Sequence, residues 1–258
     1  MKLKYSAQLI IFVITGLFLM FTNSCKKDTK IIPSETGTVT DVEGNVYKTI
    51  KIGNQWWMAE NLRVTKYNDQ TAITKILLNA TPVAFDTTWA NKKTGACCIF
   101  DNNNEFGKTY GLLYNWYAVN DNKKIAPDGW HIPTDDEWKK LEKQLGMSAS
   151  ETEKTSWRGT HEGEKLKTLK IEISGEDAWT KTGDIWATNE SGFTALAGGC
   201  CMFDGRWGDP GIKSTGFWWS ISTNGNDAWY RHLDYKNANV FRYYGPKTYG
   251  FSVRCVMN

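Results

Sequence analysis

The densest set of groups able to do chemistry lies in Gly129–Glu142, GWHIPTDDEWKKLE, where His131 precedes Asp135, Asp136 and Glu137. A histidine beside several carboxylates is the raw material of general acid–base catalysis or of a metal site. The spacing argues for a plainer role. Thr134 stands three residues before Glu137, the pattern of a capping box, in which hydroxyl and carboxylate each take a backbone N–H from the other residue. Negative charge in a first helical turn is favoured by the helix dipole. Pro133 keeps the chain out of helix before that point. Trp138, Leu141 and Leu145 then share one apolar stripe, Lys139, Lys140 and Lys143 lie off it, and Gly146 supplies a stop. The three carboxylates are therefore expected to cap and be solvated, and His131 has no evident metal partner.

Other reactive residues are scattered. The three histidines, His131, His161 and His232, fall in no HExxH or His-x-His arrangement. His161-Glu162-Gly163-Glu164 reads as an exposed, glycine-interrupted turn. No GxSxG, Walker A or GxGxxG pattern occurs, and GTHEGEK (159–165) misses the P-loop spacing. Beyond Cys25, the cysteines are Cys97, Cys98, Cys200, Cys201 and Cys255. Without a CxxC they support neither a zinc ribbon nor a thioredoxin-like site. An odd number leaves at least one unpaired; a bridge from Cys200 or Cys201 to Cys255 is expected, with the pairing open. Asn226-Asp227 and Asn189-Glu190 are oxygen-rich enough for calcium. Turn chemistry accounts for the first and a buried hydrogen-bonding role for the second. No metal and no cofactor is expected.

Aromatic residues are the unusual feature: 13 Trp, 11 Tyr and 11 Phe. Trp57, Trp116, Trp138, Trp218 and Trp229 are expected inside, where each ring buries a large area. The remainder can form a platform for sugar rings or a peptide. The candidate ligand-binding residues are Trp207, with Asp204 and Arg206 in the same loop FDGRWGDP (203–210), and Tyr243 and Tyr244 before Gly245-Pro246. The competing reading is that these aromatics fill a second small core.

The elements that must position them follow from the local pattern. Residues 39–58 read as a β-hairpin running into a third strand at Trp56-Trp57, with turns at Glu43-Gly44-Asn45 and Gly53-Asn54. Residues 65–105 show no period and read as long loops. YGLLYNWYAV (110–119) fits a buried strand or a short helix equally. A weaker helix is expected within 150–169, with Leu166 and Leu169 facing in. GFWWSIS (216–222), AWYRHLDY (228–235), VFRYY (240–244) and GFSVRCV (250–256) read as four strands of an antiparallel meander.

The N-terminus carries Lys2 and Lys4, an apolar run Leu9–Phe21 and then Cys25. The run is short for a membrane span and fits a secretory leader. Asn23-Ser24-Cys25 resembles a bacterial lipoprotein cleavage site, so Cys25 is the expected lipidation site. The formal net charge is only +3, two of the lysines lying in the leader. That leaves no broad field for phosphate backbones, which argues against nucleic acid.

Seven stretches together resemble one family: GNVYKTIKIGNQWWMAENL (44–62), YGLLYNWYAV, APDGWHIPTDDEWKKLE (126–142), TNESGFTALAGG (188–199), FWWSIS, AWYRHL and YGFSVRCV. In this order they resemble the Fibrobacter succinogenes major paralogous domain, found in secreted proteins and lipoproteins of Fibrobacter and Bacteroides-type bacteria. More distantly, HIPTDDEW, Gly198-Gly199 and GFSVRC are similar to motifs of the formylglycine-generating and sulfatase-modifying-factor group. That similarity implies an α+β, C-type-lectin-like fold: a twisted antiparallel sheet, one or two flanking helices and long loops. The group's copper-binding C-x4-C pair does not occur here, so its oxidase activity is not expected. Nor do the EPN, QPD or WND motifs of calcium-dependent sugar-binding lectins occur.

The resulting expectation is a leader over 1–24, a lipidated tether over 25–36 and one domain over 37–258. Its expected role is binding in the cell envelope, without catalysis, with glycan the first ligand class. An accessory structural subunit of a surface or adhesion assembly is the alternative, as is an enzyme with an unrecognised site. Expected partners are the membrane, through the lipid, and a glycan or envelope protein. The expected location is the outer membrane, facing periplasm or cell surface, since Lys26-Lys27-Asp28 carries mixed charge.

Overall fold

Thr36 opens strand β1 (Thr36–Thr40), so the end of the expected tether already belongs to the domain; the Lys51 N–H donates to the Glu35 carbonyl at 2.9 Å. The computed structural model describes residues 35–78, 85–181, 183, 187–208 and 210–258. The leader 1–24, Cys25 and the tether through residue 34 lie outside the described residues. No helix among the described residues is long and apolar enough to cross a membrane.

Strands β2 (Val46–Ile52) and β3 (Gln55–Met58) complete the expected hairpins. The long irregular stretch that follows holds short elements: β4 (Thr74–Lys75), α1 (Thr87–Ala90), β5 (Ala96–Cys98), a 3-10 turn Phe100–Asn102 and α2 (Asn104–Tyr110). YGLLYNWYAV contains both a strand, β6 (Leu113–Tyr114), and a helix, α3 (Trp116–Val119). Asn115 makes the switch. Its side chain accepts from the Ala118 N–H at 3.1 Å, capping α3, and from the Ala96 N–H at 2.9 Å, continuing the sheet.

Next come β7 (Trp130–His131), α4 (Asp135–Gln144), α5 (Ala149–Glu153), β8 (Ser156–Arg158), α6 (Glu162–Leu166), β9 (Thr215–Asn224), β10 (Asp227–Asp234), β11 (Val240–Gly245) and β12 (Val256–Met257). They form three sheets, ordered β1-β2-β3-β12-β7, β8-β11-β10-β9 and β4-β5-β6. All pairs are antiparallel except β4 with β5. The class is therefore α+β and mostly antiparallel.

Three expectations need correcting. The fourth strand of the meander is β8, not GFSVRCV; residues 250–252 make single bridges to Cys201, Tyr114 and Trp218, and Val256 enters the first sheet between Trp57 and His131. That segment is buried throughout, so both its faces are covered and it threads between sheets. Leu169 is 50% exposed, because α6 ends at Leu166 and no longer sets its direction. Trp229 is half-buried, its ring covered by the Arg242 guanidinium at 3.8 Å, whereas Trp57, Trp116, Trp138 and Trp218 are buried as expected.

Strand β9 divides the core. Trp219 packs with Tyr114, Trp116, Phe251 and Val253, and Trp218, pointing to the other face, packs with Trp57, Trp138, Leu141 and Phe193. Buried polar groups tie these layers together at Asn61. Its carbonyl oxygen accepts from Trp218 Nε1 and from Arg254 Nε, both at 2.9 Å, and its amide donates to the Tyr110 carbonyl at 2.7 Å. Arg254 also donates to the Phe193 and Thr194 carbonyls. Burial pulls its pKa down to about 9. Four of the collinear motifs thus converge on one amide.

Helix α4 has the full capping box: Glu137 N–H to Thr134 Oγ1 at 3.2 Å and Thr134 N–H to Glu137 Oε2 at 2.8 Å. Thr134→Ala is expected to cost about 1 kcal/mol in chemical denaturation. The expectation that its first-turn carboxylates cap and are solvated holds for Glu137, which closes the box, and for Asp136, which is exposed, but not for Asp135. Asp135 is buried, bonded to Arg242 Nη2 at 2.7 Å and Arg231 Nη1 at 2.8 Å. Burial opposes its charge, but the two guanidinium groups win and hold the carboxyl far below the ordinary carboxylate range. Further along, Glu142 is fully buried between Arg158 Nη2 at 2.5 Å and Arg231 Nε at 2.6 Å. This network joins α4 to the face of the meander opposite the cleft described next.

Candidate functional site

The loop that carries Trp207 is built by its own short bonds. The Met202 N–H donates to the Arg206 carbonyl at 2.8 Å, and the Gly205 N–H to the Met202 carbonyl at 2.9 Å. Gly205 has φ of +85°, and a Cβ there would lie 2.6 Å from the Asp86 carbonyl oxygen, so the tip needs glycine. Asp204 is buried and clamps Arg206 through Nε at 2.9 Å and Nη2 at 2.8 Å. Trp207 bridges back to Cys201, and its ring packs on Phe100 with centroids 4.9 Å apart. At Gly208 a Cβ would meet Cys200 Sγ at 2.3 Å, so glycine lets the loop close down on that thiol.

Between this loop and the adjoining ends of β9 and β10 lies a cleft of about 530 Å³. Its lining combines Arg206, Trp207 and Met202 from the loop with Phe217, His232 and Asp234 from the sheet. His232 stacks flat on Phe217, centroids 4.1 Å apart at 7°, and also touches the rings of Trp157 and Phe241. Its Nε2 is buried and has no hydrogen-bond partner among the described residues. Burial, with the nearby Lys167 charge, pushes its pKa down to about 3. Lys167 donates to the Asp234 carbonyl at 2.9 Å, and burial lowers its own pKa to about 8. Burial raises the Cys200 thiol to about 12.

A depressed histidine has a definite consequence for stability. Between pH 6.5 and 3 the unfolded chain takes up a proton at His232 and the folded chain does not. Stability therefore falls as pH drops through that window, by up to about 1.4 kcal/mol per unit. In His232→Phe, which keeps the stack, melting temperatures measured from pH 7 to pH 4 should fall less steeply than in the wild type.

Of the candidate loop residues, Trp207 and Arg206 line the cleft, while Asp204 does not and instead holds Arg206. Tyr243 and Tyr244 do not line the cleft. They stack on each other at 4.7 Å, with Tyr243 40% exposed, and connect to it indirectly, through Phe241 and His232 and through the cross-strand neighbour Tyr230. His232, Asp234 and Phe217 were missed as site residues, although the alternation of AWYRHLDY already put His232 and Asp234 on one face. The pairing of Cys200 or Cys201 with Cys255 is not seen: all five described cysteines are free thiols. Cys201 packs instead beside Cys98 in a small apolar cluster that Cys255 does not enter.

Elsewhere, His131 bonds through Nε2 to Glu137 at 2.8 Å and through Nδ1 to Asn258 Oδ1 at 2.7 Å, beside a second cavity of about 270 Å³ that includes Trp130 and Asp121. Asn189 accepts from the Thr194 N–H at 2.8 Å, a hydrogen-bonding role as expected, but it is half-buried and Glu190 is exposed, so the pair is not buried; Asn226-Asp227 sits where β9 turns into β10. Among the described residues no three His, Cys, Asp or Glu side chains converge to hold a metal ion.

The fold and cleft define an α+β domain that presents an aromatic-walled pocket at the edge of an antiparallel meander. The chain belongs to the Fibrobacter succinogenes major domain family, whose model matches residues 50–257. No curated protein and no solved structure matches it. Family membership brings no activity with it, so function rests on the cleft.

Proposed function

We propose that the protein is a non-catalytic binding module of the cell envelope, C-type-lectin-like in fold, anchored through a lipid on Cys25 in the outer membrane, and that the cleft takes a glycan. The carrying observation is the cleft itself, where the half-buried indole of Trp207 and the clamped guanidinium of Arg206 line the same space as Asp234. An aromatic ring beside fixed polar groups is the pairing that a sugar requires, with apolar C–H faces on one side and hydroxyls on the other. The reactive groups of the cleft support binding over catalysis. His232, at about 3, is far from the neutral range of a general base, and Cys200, at about 12, is far from a thiolate nucleophile.

The test is a glycan array probed with wild type and Trp207→Ala. Wild type should bind a subset of neutral glycans, and Trp207→Ala should lose at least about tenfold in affinity while melting close to the wild-type temperature. Absence of any bound glycan would reject this reading. Capture of a single envelope protein through the exposed Tyr243 side of the sheet would favour the accessory-subunit reading instead.

A further inference from the structure

Sulfur is concentrated where the cleft loop meets the rest of the domain. Cys98, on β5, and Cys201, at the root of the loop, lie in one small apolar cluster with Ile76, Leu78, Trp89 and Leu113. The two thiols lie close enough for Cys98 to act on the ionisation of Cys201, whose own Sγ donates to the Met202 carbonyl at 3.4 Å. Cys200 faces away, its Sγ 3.9 Å from Met202 Sδ. Cys97 and Cys255 belong to the large core cluster on the other side of β5. Among the described cysteines, only this pair joins two distant segments within a small cluster. Backbone bonds also hold the loop root, Cys201 with Gly250 and Asp86 with Asp204, and Trp207 packs on Phe100 beyond the end of β5.

We propose that Cys98 and Cys201 form a disulfide in the exported protein, fastening the root of the cleft loop to β5. In an oxidising compartment a buried pair of neighbouring thiols is a natural site for one. The chemistry is thiol–disulfide exchange with a disulfide oxidant, such as glutathione disulfide or a disulfide-carrying protein. One cysteine thiolate attacks the oxidant's S–S bond and expels one thiolate, giving a mixed disulfide. The second cysteine thiolate then displaces the other. The S–S bond forms in the chain, the oxidant's bond is reduced, and the two protons end on its two thiols. Burial raises the Cys201 thiol far above its ordinary range, so the exchange runs before the loop packs, during folding. The bond would hold Arg206 and Trp207 in place and close a long loop of the unfolded chain, which favours the folded state.

The deciding experiment refolds the reduced full chain, in detergent, with glutathione and glutathione disulfide, blocks free thiols with N-ethylmaleimide and digests with trypsin. The expected product is residues 94–108 linked to residues 182–206, split by reductant. The link should vanish in Cys98→Ser and in Cys201→Ser, and persist in Cys97→Ser, Cys200→Ser and Cys255→Ser. Reductant should lower the melting temperature of wild type and leave Cys201→Ser unchanged. Alkylation of both Cys98 and Cys201 after refolding would overturn the proposal, as would a link to Cys255 or one that survives either critical serine. The same digest on chain extracted from membranes should show the same link, and two alkylated thiols there would equally overturn it.

Discussion

Glu142→Leu should lower the free energy of unfolding by about 3–5 kcal/mol, the cost of removing one partner from a buried charge group. The reason lies in what is left behind. Arg158 is buried, and Glu142 is its one ion-paired carboxylate among the described residues; the Val240 carbonyl, 3.1 Å from Nη1, cannot neutralise it. Arg231 keeps Asp135 but loses the acceptor for its Nε. Asp136→Asn, on the exposed face of the same helix, should change stability by less than about 0.5 kcal/mol. Urea denaturation of both variants checks the contrast, and a loss below about 1 kcal/mol for Glu142→Leu would show that the network is better hydrated than its burial implies. Acid should act on the same network. Asp135 is held ionised well below its unfolded range, so its contribution is present above about pH 4 and is lost as pH falls further.

The second large effect is expected at Asn61. Asn61→Leu strands Trp218 Nε1 and Arg254 Nε, two buried donors that share one carbonyl oxygen, and leaves the Tyr110 carbonyl without its amide. Each buried group left unsatisfied costs about 1–3 kcal/mol, and a charged one more, so a loss of about 3–5 kcal/mol is expected in denaturant. Asn61→Asp keeps an oxygen for both donors and should lose clearly less. Equal losses from the two variants would mean that the packing of residue 61, rather than its acceptor, holds the layers together.

These two sites show how much of the fold was legible in the sequence. Local patterns were readable wherever the information is local: the Thr134 cap, the hairpins before Trp57, and the three strands from Thr215 to Gly245 all follow from turn chemistry and periodicity. Roles set by distant partners were hidden. Asp135 reads as a helix-dipole residue until Arg231 and Arg242 arrive from some hundred residues away. GFSVRCV reads as one more strand of the meander because its alternation resembles its neighbours, yet its destination is set by Trp57 and His131. Trp207 and Arg206 of the cleft, and Asp204 that holds Arg206, were legible because a single loop carries all three. His232 was not, because its significance comes from the stack on Phe217 and from an unpartnered nitrogen, and both are tertiary facts.

The collinear motifs that mark the family mostly build the buried polar frame around Asn61, Arg254 and helix α4, while the cleft joins a loop that none of those motifs includes to Phe217 and His232 from two of them. That division makes the central claim testable by location. Hydrogen–deuterium exchange of the protein with and without a glycan from the array should show added protection in peptides covering residues 200–211 and 230–235, with α4 unchanged. Protection centred on the cavity beside Trp130 and His131, or none at either place, would contradict the assignment of the cleft as the ligand site.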